Sequence, residues 1–144
     1  MIRNLLLTFL LLTSISVTQA QCRWFAKTMG LANLDTATFQ HDGRFNAILL
    51  MDGQEIEFFK TVNAGNDYRF LLVADTIFKA PLHFTVMDFE RNVIFRNDSG
   101  TNNRFWDFSE QQNRRLIISV SLPPEITGET QSKGCVAVLV GSKK

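Results

Sequence analysis

The residues of this chain best suited to nucleophilic or acid–base chemistry are Cys22, Cys135, His41 and His83. A nucleophile needs a base within hydrogen-bond reach, and the base needs a third group to orient it. His41 is followed directly by Asp42, but neighbours on a strand point to opposite faces. His83 alternates with Leu82 and Phe84, which places it on the solvent side of an expected strand. No G-x-S-x-G elbow, H-E-x-x-H pair or cysteine–histidine cluster occurs. Glu55 and Glu57 share a strand face and could form a carboxylate pair of the kind used in glycoside hydrolysis. They alternate with Ile56 and Phe58, the ordinary pattern of a solvated face. No catalytic residue is assigned, and the chain is expected not to be an enzyme.

Oxygen-rich side chains offer one weak metal site. The loop 97–103 carries Asn97, Asp98, Ser99 and Gly100, and Asp88 and Asp107 flank its strands, so Asp88, Asn97, Asp98 and Asp107 are candidate calcium ligands. The spacing does not fit an EF-hand, and turn chemistry accounts for the same residues. Nothing in the sequence calls for a cofactor. Aromatic residues are the most distinctive feature, with 13 Phe, 2 Trp and 1 Tyr. Phe105 and Trp106 are the candidate ligand contacts. Trp106 shares a face with Phe108 and is expected in the core, whereas Phe105 lies on the other face.

The two cysteines bear on compartment as well as chemistry. Arg3 precedes an apolar run from Leu5 to Leu12, extended by Ile15 and Val17, and Thr18-Gln19-Ala20 offers small residues at a cleavage site. This is the pattern of a secretory leader. The run is shorter than the roughly 18–20 residues of a membrane-spanning helix. Gln21, directly before Cys22, does not suit a lipoprotein signal. Residues 1–20 are therefore expected to be removed, leaving 21–144 as one domain that is periplasmic or extracellular. In such compartments an even cysteine count favours a disulfide, here Cys22 to Cys135.

The formal charge is +1, from 15 basic and 14 acidic residues. Loss of Arg3 brings the two counts level, which argues against nucleic-acid binding. No later segment is long and apolar enough to span a membrane. Composition, at 45% apolar and 20% charged, suits a globular domain.

The elements that must position these residues read almost wholly as strands. Segments 44–51, 55–62, 68–74, 82–87, 92–96, 104–108, 115–122 and 135–140 alternate or run apolar between turn signals. Asp52-Gly53 is a preferred two-residue hairpin turn, and Pro123-Pro124 ends the seventh strand. Trp24, Phe25, Met29 and Leu31 have rough helical spacing, predicting a short N-terminal helix or turn. About eight strands at this spacing predict an all-β antiparallel sandwich, jelly-roll-like.

Three segments carry a resemblance. Ala64-Gly65-Asn66-Asp67-Tyr68-Arg69-Phe70 is similar to a turn that opens a central strand. The stretch from Leu82 to Asp88 with Asn92-Val93-Ile94-Phe95 is similar to a hairpin, although Arg91 stands where a glycine is usual. Trp106-Asp107-Phe108 with Leu116 to Val120 completes the pattern. Together they resemble the pre-peptidase C-terminal and p24/GOLD-type jelly rolls of small secreted bacterial β-sandwiches. The closing Gly134-Cys135-Val136-Ala137-Val138-Leu139-Val140-Gly141 resembles stand-alone exported domains of unknown function. The resemblance implies a binding or accessory module.

The resulting expectation is a non-enzymatic exported sandwich that binds an unknown protein or glycan, or serves structurally in the envelope. The alternatives are a secreted hydrolase inhibitor, inserting loop 97–103 or 125–133, and a small enzyme using Cys135 with His41 or His83.

Overall fold

The computed structural model describes residues 16–78, 80–97, 104–124 and 132–144. The chain enters through a helix, α1 (Ser16–Phe25), a π-helical turn (Ala26–Gly30) and a last helical turn, α2 (Leu31–Asn33). Nine strands follow among the described residues: β1 (Phe39–His41), β2 (Asn46–Met51), β3 (Glu55–Val62), β4 (Asp67–Ala74), β5 (His83–Met87), β6 (Val93–Arg96), β7 (Phe105–Ser109), β8 (Arg114–Ser121) and β9 (Lys133–Lys143). They form two antiparallel sheets. The first has the order β1-β9-β4-β7, with β2 also pairing β9, and the second has the order β3-β8-β5-β6.

Alternation explains the main core. Phe70 and Leu72 of β4, Leu116, Ile118 and Val120 of β8, Phe84 and Val86 of β5, and Val136, Val138 and Val140 of β9 meet between the sheets, all buried. The uninterrupted apolar run of β4 has its reason in a second layer. Leu71 and Val73 face the other way, and with Ala137 and Leu139 they pack under Ala26, Leu34 and Phe39. The N-terminal helix thus covers the outside of the first sheet. Its buried stripe is Cys22, Ala26, Gly30 and Leu34. Trp24 and Met29, which suggested the helix, lie instead on its exposed side. Small residues are required where helix meets sheet: a Cβ on Gly30 would stand 2.5 Å from Leu139 Cδ1.

Three local readings change. Asp52-Gly53 does turn, with Gly53 at φ 77°, but it is no hairpin. β2 pairs β9 in one sheet and β3 pairs β8 in the other, so the turn is a corner between layers. β1 was not anticipated, because three residues carry too little periodicity to register; it pairs the end of β9. In the β5–β6 hairpin a register shift at Val86/Met87 separates Val93 from Phe95. Val93 is exposed, although plain alternation over segment 92–96 places it on one side with Phe95.

Candidate functional site

The two outer faces differ. The helix closes one, and no described element lies over the other, the outside of β3-β8-β5-β6. Strand register lays out that open face in rows. Glu55, Ser121 and His83 form one row; Glu57, Ser119, Thr85 and Arg96 form the next; Phe59, Ile117 and Met87 form the third; Thr61 and Arg115 lie beyond them. Polar side chains fill the first two rows and apolar ones the third.

The polar half is a trough of about 470 Å³ lined by Glu55, His83, Thr85, Met87, Arg96, Asn97, Ser119 and Ser121. Ser119 is buried in its floor and donates its hydroxyl to Glu55 Oε1 at 2.5 Å. Asn97 is held by the backbone: its Oδ1 accepts from Phe84 N–H and its Nδ2 donates to the Leu82 carbonyl. Arg96 has no ion pair among the described residues.

At the other end the Arg115 guanidinium lies 4.5 Å above the Phe59 ring and 5.7 Å from that of Phe89, the two rings being 6.4 Å apart. Phe59 is 47% and Phe89 62% exposed. Beside them runs a second trough, about 490 Å³, lined by Asp42, Arg44, Phe59, Lys60, Thr61 and Arg115. It holds three cations and one carboxylate, with Lys60 paired to Asp42. Arg91 takes the left-handed backbone conformation, φ 67°, where a glycine is usual. Its guanidinium forks Glu57 at 2.8 and 3.0 Å. Those hydrogen bonds lower the Glu57 pKa and raise that of Arg91.

The residues singled out from sequence fall in several places. Cys22 and Cys135 form a disulfide, so no free thiol remains. His41 and Asp42 do approach, at 3.7 Å, because β1 ends at His41 and the strand argument for opposite faces lapses there. Both ring nitrogens are nevertheless engaged: Nδ1 accepts from Gly43 N–H, and Nε2 lies 3.2 Å from the Arg44 carbonyl. His83 is on the open face, with Glu55 in its row. Phe105 is 46% exposed, yet one side of its ring is taken by Arg69, which lies 4.5 Å from Phe39, 4.6 Å from Phe105 and forks Asp107. Hydrogen bonding to Asp107 raises the Arg69 pKa. Trp106 is half-buried, stacked between Phe95 at 5.2 Å and Phe108 at 4.0 Å. It joins the edges of the two sheets.

The calcium candidates are separately engaged. Asp88 accepts from the Asn92 backbone and side chain, which lowers its pKa. Asn97 pins β5 and Asp107 holds Arg69. Asp98 lies outside the described residues, as do most of the loops 97–103 and 125–133. Among the described residues no three His, Cys, Asp or Glu side chains gather as a metal site.

Sequence reasoning passed over Phe59, Phe89, Arg115 and Ser119. One signal was present: Phe59 interrupts the alternation of β3 and places an aromatic ring outside.

The fold defines a disulfide-bonded, helix-covered antiparallel β-sandwich. It is similar to the crystal structure of Aeromonas hydrophila PliG, a periplasmic lysozyme inhibitor of g-type lysozyme. The TM-score is 0.52 at 12% identity, over 69% of this chain and 85% of that one. No protein-family profile matches the chain, the pre-peptidase C-terminal and GOLD-type ones included. No curated protein matches it in sequence.

Proposed function

We propose that this chain is an exported, non-catalytic binding protein that inhibits a cell-wall hydrolase of the lysozyme type. The observation that carries this reading is the fold shared with PliG. The leader-like N-terminus and a disulfide, a bond favoured in oxidising compartments, support export. A Cys–His enzyme would need a thiol, and both cysteines are bonded to each other.

The docking surface on this reading is the Phe59–Arg115–Phe89 end of the open face. Aromatic residues, phenylalanine among them, and arginine are enriched at interfaces relative to the rest of a protein surface. Glycoside hydrolases work with paired carboxylates, and Arg44 and Arg115, beside a Lys60 already paired with Asp42, present the complementary charge. Arg115 has no ion pair among the described residues, so its donors are available to a partner's carboxylate.

The test is to add the oxidised protein to g-type, c-type and i-type lysozymes and follow the clearing of a bacterial cell-wall suspension. Saturable inhibition of one class is expected. Unchanged clearing rates for all three at excess protein would refute the proposal.

A further inference from the structure

The polar trough on the open sheet has chemistry that the inhibitor reading does not use. The geometry points to a binding site for a neutral oligosaccharide there, independent of any hydrolase. Four features of the trough support this.

The first is charge. The trough holds one carboxylate, Glu55, and one guanidinium, Arg96. An anionic ligand would meet Glu55 and a cationic one would meet Arg96. A neutral ligand meets neither penalty and can use both groups.

The second is the mixture of donors and acceptors. Glu55 offers acceptor sites beyond the one that Ser119 occupies. Arg96 offers only donors, the hydroxyls of Thr85 and Ser121 and the His83 ring can do either, and Ser119, its hydrogen given to Glu55, can only accept. Sugar hydroxyls are themselves both donors and acceptors. A vicinal diol can donate twice to a carboxylate and accept from a guanidinium.

The third is the apolar border. Met87 lines the trough, and Phe59 follows Glu57 on the same face of β3. A pyranose ring has a C–H face that packs on such groups while its hydroxyls reach the polar rows. The fourth is size and support. About 470 Å³ lies within the roughly 300–1,000 Å³ of small-molecule sites. The rows sit on paired strands rather than loops, with Ser119 anchored in the floor and Asn97 fixing the end of β5.

The experiment is a titration of ¹⁵N-labelled oxidised protein with cellotetraose, maltotetraose, xylotetraose and the tetramer of N-acetylglucosamine, read by amide NMR shifts. At least one sugar is expected to give saturable shifts centred on residues 55–59, 83–87 and 119–121. In Glu55→Gln and Arg96→Met its affinity is expected to fall roughly tenfold, about 1.4 kcal/mol, with thermal unfolding unchanged. Three results would each overturn the inference: no saturable shift with any of the four sugars, shifts centred on Phe105 or the helix, or undiminished affinity in both variants. None of these touches the lysozyme assay, which tests the inhibitor reading by itself.

Discussion

The Ser119 hydroxyl donates to the Glu55 carboxylate across two paired strands of the open sheet, 2.5 Å between oxygens. On the opposite side of the same sheet, Phe84 is fully buried between the layers. One sheet therefore has a face that holds the fold together and a face that does not. Substitutions should separate them. Ser119→Ala removes a hydroxyl whose partner remains solvated and should cost about 1 kcal/mol or less. Phe84→Ala should cost about 3–5 kcal/mol through lost burial and a cavity. Urea denaturation midpoints distinguish the two.

Trp106 belongs to the structural class. It stacks between Phe95 of one sheet and Phe108 of the other, with Phe70 edge-on at 6.1 Å. Trp106→Ala should cost about 3 kcal/mol, the lower end for a large aromatic because the ring is only half-buried. The same urea measurement checks it, and ligand affinity should not change. An affinity loss without destabilisation would restore Trp106 as a ligand contact.

The disulfide ties the covering helix to β9 across a sequence separation of 113 residues. In the chain-entropy view, closing a loop of that length stabilises by about 4–5 kcal/mol. Replacing both cysteines by alanine should lower stability by that order, read from chemical denaturation. A loss below about 1 kcal/mol would mean that native-state strain or residual structure in the unfolded chain offsets the cross-link's entropic gain.

Acid should weaken the fold in a defined direction. Hydrogen bonds from Arg91 to Glu57, Ser109 to Asp67 and Asn92 to Asp88 lower the three carboxyl pKa values. A depressed native pKa means stability that is present above the unfolded carboxylate range, about pH 4, and lost as pH falls through the native values. These groups are exposed, so the losses should be modest and reduced by salt. Denaturation midpoints at pH 7 and pH 3, at low and high salt, check both points.

Alternation made the core legible. Leu116, Ile118, Val120 and Leu122 read as one buried face from sequence alone and are buried; the Val136, Val138 and Val140 face of β9 behaves likewise. Phe105 and Trp106 were correctly assigned to opposite faces. Sheet membership was not legible, because Asp52-Gly53 gives the same local turn whether the next strand stays in the sheet or crosses to the other. The open face was missed for a related reason. Glu55, Glu57, Ser119 and Thr85 look like ordinary solvent residues strand by strand, and become a surface only when register puts them in rows. Arg115, next to Arg114 in sequence, gave no hint that it would lie over Phe59 while Arg114 pairs with Glu110.

The most direct test compares two aromatic sites on opposite sides of the molecule. Phe59→Ala/Phe89→Ala removes the rings at the proposed docking end, and Trp24→Ala removes a still more exposed ring from the helix. Inhibition of the susceptible lysozyme should weaken tenfold or more, about 1.4 kcal/mol, in the double variant and stay unchanged in Trp24→Ala. Equal inhibition by both variants, or a loss confined to Trp24→Ala, would contradict the assignment of the open sheet face as the surface through which this protein acts.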